Sequence, residues 1–430
     1  MDSLRLMSRQ AAGRGLVVGV LVFLLAAYVL AVVNAPALLL DEDQLRAAPG
    51  FSLGDRLAAE HNARVVLASL GGALVVALGL LFTGFNYALA RRGHVSDRFT
   101  TALERIGATE EYVRSAGFRA LLQIKRESSA HRDEVVQVVL AYIRRHARAG
   151  TNDAWTDLQG LTSPDHLHEA LTVLRLGPAT SRRARTEVDL ARISCPRANL
   201  RGARLRGANF RRSVLQGADL REAELIGADF RNALLLGARL ERARLAGAKL
   251  GAADLTEANL QAAVLTGASM VKVVLRSADL RFAMLVRVEL GFADLRGATM
   301  WRAKLTRAML PGAVLEFARL NEAWLTEANL SAARLFGVNL TRARMRRSQL
   351  DAADLRTANL AGADLRQANL FKADLDSADL RQADLRGANL DSANLRAANL
   401  RGAVLGSTGD VLPNWRSSFR RLRRAHQGNV

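Results

Sequence analysis

The chain has 430 residues, a formal net charge of +20 and one cysteine. A single cysteine excludes an intrachain disulfide framework, as is typical of a reducing compartment, and the length leaves room for several domains. The basic excess raises nucleic-acid binding as a hypothesis, but the arginines are scattered over the whole chain instead of lining one segment. The distribution of charge therefore argues against nucleic acid as the main partner.

Two charge-free apolar stretches lie in the first quarter of the chain, over 15–40 and 65–90. Each has 26 residues, and a helix of that length measures about 39 Å, more than the roughly 30 Å hydrocarbon core of a bilayer. Arginines precede the first stretch and follow the second, so the positive-inside rule places both ends in the cytoplasm. The sequence predicts a hairpin of two transmembrane helices over 1–92 in the cell (inner, plasma) membrane, with only 41–64 outside.

A cleaved signal peptide is the alternative interpretation of the first stretch, with the cleavage region at Ala35-Pro36-Ala37. In that case the second stretch, followed by Arg91 and Arg92, would still keep the rest of the chain inside the cell. The predicted side of the membrane is the same in both interpretations.

Residues 93–176 have the periodicity of short helices, and 177–195 form a basic linker that leads into the next domain. One apolar helix face is predicted over 135–143, ending in Arg144 and Arg145. We expect this helical segment to cap the domain that follows, since an exposed sheet edge invites aggregation. The predicted helix starts are Ser96, Thr109 and Ser163 followed by Pro164.

A period of five residues is established at Pro196 and runs to Leu405. From Leu200 onward, all 42 fifth positions are large and apolar, 37 of them Leu, and Ala stands two residues earlier in 37 pentads. This period belongs neither to a helix nor to a plain strand, so we interpret it as a repeat that bends every five residues with Leu and Ala inward. Asp or Asn before the Leu, and Gly two residues after it, suit turns.

This A(D/N)LxG-like pattern resembles the pentapeptide-repeat family. The resemblance implies a right-handed quadrilateral parallel β-helix over 196–405, a solenoid with four pentads per coil in which residues 20 apart stack. About 10.5 coils would form a rod about 50 Å long at roughly 4.8 Å per coil. Phe210 and Phe230 would then touch in one core column, and Cys195, one pentad upstream of the regular pattern, would be a half-buried core thiol.

A second resemblance covers the helical segment over 96–128, 131–148 and 165–174. The run SDRFTTALERIGATEEYVRSAGFRALLQIKRES looks like the helical segment of membrane-anchored bacterial pentapeptide-repeat proteins. It agrees with the mixed architecture predicted above: two membrane helices, a short helical segment and a repeat solenoid.

Outward positions that are polar in most pentads become apolar in the middle of the predicted rod. Scattered exposed apolar side chains often have no function, but Trp and Met are enriched in interface cores. We therefore expect an interaction patch here, for an unknown protein partner or for a second copy of the chain. With stacking every 20 residues, its members are Val264, Met284, Lys304 and Trp324 in one column, flanked by Val286 and near Phe282.

The tail 406–430 leaves the five-residue register. Its apolar residues could fold over the last coil as a cap, while its basic residues would stay in water. The alternative is a basic amphipathic helix that contacts anionic lipid or nucleic acid. The candidate basic residues are Arg416, Arg420, Arg421, Arg423 and Arg424.

The sequence contains no motif that predicts catalysis, a cofactor or a metal. The seven His residues are dispersed and the glycines follow the five-residue period instead of forming a phosphate loop. We predict a membrane-tethered cytoplasmic scaffold or protein–protein interaction module that is not an enzyme. Two alternatives stay open: nucleic-acid or anionic-lipid binding through the basic surface and tail, and an oligomeric membrane pore or transport accessory, although neither span carries an internal charge for an ion path.

Overall fold

The computed structural model describes residues 26–30, 33–34, 52–147, 165–175 and 188–405. The chain divides into two compact units, 1–96 and 97–430. The helices are α1 (Leu53–Ile106), α2 (Glu111–Glu127), α3 (Arg132–His146) and α4 (Asp165–Leu174). The five-residue repeat follows them and continues to Leu405. The predicted linker 177–187 and the tail 406–430, with its five candidate arginines, lie outside the described residues.

The apolar part of α1, Leu53–Tyr87, is long and apolar enough to cross a bilayer, and it is the one such helix in the described part of the chain. The predicted second span, 65–90, therefore lies inside a longer helix, and the predicted outer loop 41–64 is helical from Leu53 onward. Residues 26–30 are helical as well. The rest of the predicted first span falls largely outside the described residues.

Within the first unit, the helical turn 26–30 packs on α1 through Tyr28. Its hydroxyl donates a hydrogen bond to the carbonyl oxygen of Ala68, 3.0 Å away. Its ring lies over Gly71, where an added Cβ would overlap the ring atoms. Glycine at 71 thus permits a close approach between the two pieces of helix.

Two of the predicted helix starts are wrong. Ser96 lies inside α1, because no proline interrupts the chain from Leu53 to Ile106 and an N-cap has no role where the preceding turn is already helical. Thr109 does not cap α2: the N-cap position is Glu110, no side chain bonds the free N–H groups, and the Thr109 hydroxyl lies 3.5 Å from the Glu110 carboxylate. The start of α4 at Asp165 agrees with the predicted position, although Ser163 itself is outside the described residues.

Helices α2, α3 and α4 share a small core in the second unit. Phe118 packs edge-on against Tyr142 with 4.8 Å between ring centroids, and Leu121, Ile143 and Leu171 are fully buried. Lys125 is buried in the same core and donates to the carbonyl oxygen of Val173 at 2.6 Å, in the last turn of α4. Burial lowers the pKa of Lys125 to about 8, since an apolar environment disfavours the charged form.

The repeat domain is a solenoid in which one residue of each pentad pairs with the residue 20 positions later. Parallel single-residue bridges run from Asp189↔Asn209 to Asp384↔Val404, and turns separate them along the chain. The 218 residues 188–405 make 10.9 coils at 20 residues per coil. Around Asp294, for example, Asp294 N donates to Val273 O in the coil before, and Leu295 N donates to Val314 O in the coil after. Interior coils therefore satisfy their backbone in both directions.

Each pentad bends at a corner whose backbone is left-handed. All 43 corner positions from 192 to 402 have positive φ, and 13 of them are Gly. At one corner the N–H of Ala298 donates to Leu295 O at 3.0 Å across Gly297, which has φ +66. A β-turn with positive φ at its third residue favours Gly, so the predicted role of Gly two residues after Leu is confirmed.

The predicted core columns are confirmed. Leu295 and Ala298 are fully buried, and Phe210 stacks on Phe230 with 4.8 Å between centroids and 3° between ring planes. Cys195 is buried, and desolvation raises its pKa to about 12. The register begins before the predicted 196, because Leu190 already occupies an inward position.

Two contacts join the helical segment to the first coil. The Ser194 N–H donates to Ala147 O, just after α3, at 2.6 Å. His168 Nε2, on α4, lies 3.3 Å from Arg197 O. Ala147 thus supplies an acceptor where an earlier coil of the solenoid would otherwise stand.

Candidate interaction groove

Eight of the 30 arginines between 188 and 405 are paired with an Asp of their own pentad. In the tripeptide Asp-Leu-Arg, the Asp oxygen accepts the backbone N–H of the Arg and both carboxylate oxygens accept from the guanidinium, as in Asp364–Arg366 with bonds of 2.7 Å. This arrangement occurs eight times, with Phe230 in place of Leu in one of them, at Asp219, Asp229, Asp279, Asp294, Asp354, Asp364, Asp379 and Asp384. The Asp before the inward residue therefore has a second role besides the predicted one in the turn, because its carboxylate also binds an arginine.

These bonds also fix the charge of the carboxylates. The hydrogen bond from Arg366 is the largest influence on Asp364 and lowers its pKa. Partial burial alone would raise the pKa of Asp294, but bonds from Arg296 and Arg276 outweigh it and hold the value at about 2. A rod with this surface stays charged and internally paired at neutral pH.

One column in the middle of the rod departs from this pattern. The structure places Val264, Met284, Lys304 and Trp324 one above another in consecutive coils, as predicted, and Arg344 follows in the next coil. These positions precede the inward Leu or Met, where Asp or Asn stands in about half of the pentads. Met284 and Trp324 are 37% and 38% exposed. Phe282, two residues before Met284, is also exposed, whereas Val286 is half-buried.

A shallow groove of about 680 Å³ opens at this column. We call it the mid-rod groove; its lining residues are Phe282, Arg302, Lys304, Glu322, Trp324, Arg342 and Arg344. Three of the predicted patch residues, Phe282, Lys304 and Trp324, thus line one cavity. Met284 adjoins it in the same column, while Val264 and Val286 do not line it.

Aromatic rings and cations alternate within the groove. Lys304 Nζ lies 5.2 Å from the centre of the Trp324 ring, and the Arg344 guanidinium carbon lies 4.6 Å from it. Trp324 is therefore held between two cations from the coils on either side, a geometry in which a ring face attracts positive charge. Next to it, Arg302 Nε donates to Glu322 at 2.7 Å, and this bond lowers the pKa of Glu322.

Arg302, Glu322, Arg342 and Arg344 were not predicted as site residues, because the search of the sequence looked for apolar residues at outward positions. The period of 20 already places Arg344 in the column of Trp324. The sequence signal that could have revealed the groove was the replacement of Asp by a basic or aromatic residue directly before the inward residue.

No cluster of three or more His, Cys, Asp or Glu residues suited to a metal occurs among the described residues. The two histidines of α4 point to different partners: His166 Nδ1 lies 3.0 Å from Glu111, and His168 faces Arg197 O. The buried hydroxyls of Ser213 and Ser348, which replace Ala in the core, each donate at 2.7 Å to the carbonyl three residues before. These serines therefore have a structural explanation.

The repeat domain matches the family described as Pentapeptide repeats in eight copies between 193 and 406. The chain is similar to HetL, a pentapeptide repeat protein involved in heterocyst differentiation regulation from the cyanobacterium Nostoc sp. strain PCC 7120. The identity is 38%, the match covers 53% of this chain and 94% of HetL, and the TM-score is 0.35.

Two further solved structures are similar to parts of the chain. One is a pentapeptide repeat protein of the Arabidopsis thaliana thylakoid lumen, at 31% identity over 22% of this chain and 65% of that one, with a TM-score of 0.21. The other is QnrB1, a plasmid-mediated fluoroquinolone resistance protein, at 20% identity over 56% of this chain and 96% of that one, with a TM-score of 0.28. A search of curated proteins found no match.

Proposed function

The chain belongs to the pentapeptide-repeat family, and from this premise we propose that it is a membrane-tethered scaffold whose repeat rod binds another protein. The observation that supports this best is the mid-rod groove, where exposed rings and cations line one cavity. Aromatic residues and Arg are the residues enriched in protein interfaces. The role is binding without catalysis, since eight carboxylates of the rod are held by arginines of their own pentads and its inward residues only pack.

We further propose that two N-terminal helices anchor the rod, with both termini in the cytoplasm. Support comes from the apolar surface of Leu53–Tyr87, from the packing of Tyr28 on Gly71 in the manner of a helical hairpin, and from Arg91 and Arg92 after the second span. The bond from Ser194 to Ala147 supports a role for the helical segment in closing the first coil. A capped solenoid has no free edge at that end.

The scaffold proposal is tested by affinity capture of the full-length protein from solubilised membranes. The control is Leu295→Asp, which places an unpaired charge among fully buried side chains and disrupts the rod. We expect a protein partner, recovered in amounts comparable to the bait, that survives nuclease treatment and is lost with Leu295→Asp. Recovery of nucleic acid alone, or the same proteins with both baits, would contradict a scaffold role.

The orientation is tested separately with two reporters. A reporter that works only in the cytoplasm, fused after Val430, should be active, and Ser52→Cys should react with a membrane-impermeant thiol reagent from outside. Export of the reporter would refute the proposed orientation while leaving the binding role intact.

A further inference from the structure

The mid-rod groove is distinguished by the grouping of its cations in one cavity. Arg302 is paired with Glu322, whereas Lys304, Arg342 and Arg344 have no ion pair with any described residue. Other cations of the rod, such as Arg204 and Lys249, also lack an ion pair among the described residues, but they do not line this groove. Three cations without an ion pair therefore line the same cavity as one exposed indole ring.

The groove cannot bind a partner by strand addition. The backbone N–H of Trp324 already donates to Ala303 O at 2.9 Å, and the backbone carbonyl oxygen of Trp324 accepts from Leu305 N at 2.7 Å. Backbone groups in the interior coils are thus used within the solenoid, which leaves no free sheet edge. Recognition at this place has to come from side chains.

The residues that precede and follow the groove in the same column limit which kinds of ligand can lie along the rod axis. Toward the N-terminus, Lys304 is followed by Met284 and Val264, which offer nothing to a phosphate. Toward the C-terminus, Arg344 is followed by Asp364 and Asp384, which would repel one. A polyanion tracking the rod axis needs a continuous line of cations, and this column supplies one only between Lys304 and Arg344.

We propose that the mid-rod groove binds a short acidic segment of a partner protein, one that carries carboxylates beside an aromatic or aliphatic side chain. The carboxylates pair with Lys304, Arg342 and Arg344, and the apolar side chain packs on Trp324 and Phe282. Lys304 and Arg344 are two coils apart, about 10 Å at the usual spacing of stacked strands, a span that about three residues of extended chain cover. The inference rests on the proposed scaffold function and names its partner class.

The probe is a fluorescein-labelled peptide of alternating Glu and Phe residues, titrated with full-length protein in neutral detergent and followed by fluorescence anisotropy. The test variant is Lys304→Glu with Arg344→Glu, and a second variant is Trp324→Ala. The matched control is Arg204→Glu with Lys249→Glu, which reverses the same two charges at the same place in the pentad, away from the groove and without breaking an ion pair among the described residues. Circular dichroism checks that each variant is folded.

We expect the acidic peptide to bind, the test variant to weaken binding at least about tenfold, and the control to change it by less than about twofold, because only charges in contact contribute strongly. Trp324→Ala should weaken binding at least about fivefold, as loss of a central anchor does. A peptide with Gln in place of Glu should not bind.

Three results would overturn the proposal: no binding of the acidic peptide, equal losses in test and control variants, or tighter binding of single-stranded oligothymidine that depends on the same residues. The last result would assign the groove to nucleic acid instead. A partner still captured from membranes by the Lys304→Glu and Arg344→Glu variant would refute this site while leaving the scaffold function in place.

Discussion

Two glycine corners of the rod allow the cost of a positive φ to be separated from the cost of a clash. Gly247 and Gly312 have nearly the same backbone, with φ +64 and +62. An added Cβ at Gly247 would meet no atom within 4 Å, whereas at Gly312 it would lie 2.8 and 2.9 Å from two atoms of the Phe292 ring. We expect Gly247→Ala and Gly312→Ala to destabilise their coils unequally.

The magnitudes follow from the two environments. An alanine in a left-handed corner costs about 1–2 kcal/mol, and this is the whole expected effect at Gly247. At Gly312 the ring must also move; Phe292 is 65% exposed, so it can swing outward at a further cost of about 1 kcal/mol for lost packing and a poorer rotamer. Gly312→Ala should therefore cost about 2–3 kcal/mol in local opening free energy.

Hydrogen exchange measured by mass spectrometry on the full-length protein reports local opening, and the Phe292 N–H, which donates to Pro311 O at 3.0 Å, is the amide to follow. The control is a double-mutant cycle with Phe292→Ala, in which Gly312→Ala should cost no more than Gly247→Ala. Equal costs at the two glycines in the natural background, or no coupling in the cycle, would refute the reasoning.

Three further predictions concern the cores. Leu295→Asp should abolish protection of its coil in hydrogen exchange, since a buried unpaired charge costs several kcal/mol, while Leu295→Met should cost less than about 1.5 kcal/mol; similar effects of the two would contradict the inward assignment. Ser348→Ala should change stability in urea by less than about 0.5 kcal/mol, because Met345 O keeps its bond from the backbone N–H at 3.1 Å; a large loss would mean that the hydroxyl is needed. The folded pKa of Lys125, about 8, is below its ordinary value of 10.5, so the unfolded state binds more protons between these values and stability should rise with pH there. Urea unfolding followed by circular dichroism should detect this rise, and Lys125→Met should remove it; a fall in stability over the same range would contradict the buried assignment.

The solenoid could be predicted from the sequence because the five-residue period extends over the whole repeat domain. A register held from Leu200 to Leu405 determines which residues are inward, and the contact of Phe210 with Phe230 follows once the resemblance to the pentapeptide-repeat family supplies the 20-residue coil. Local capping rules were less successful: Ser96 is a good cap in isolation, but α1 continues through it because the helix is stabilised on both sides.

The groove was only half predicted, for a physical reason. Trp324 and Phe282 differ from the polar consensus and are visible in the sequence, whereas Arg342 and Arg344 look like the arginines found all over the rod. What distinguishes them is their position in the same cavity as Trp324, which depends on the three-dimensional packing of side chains from successive coils. The burial of Lys125 was missed similarly, since lysine is rarely found inside a core.

Because each coil contains four pentads, the effect of an insertion or deletion on the rod depends on whether its length is a whole number of coils. Loss of one pentad upstream of Lys304 would keep every Leu inward but turn the incoming coils by one face relative to the rest, so that surfaces on the two sides of the deletion would no longer line up. Loss of 20 residues would preserve all faces and shorten the rod by one coil, about 4.8 Å. Changes of length in whole coils therefore alter the distance of the mid-rod groove from the start of the rod without changing the direction in which it points.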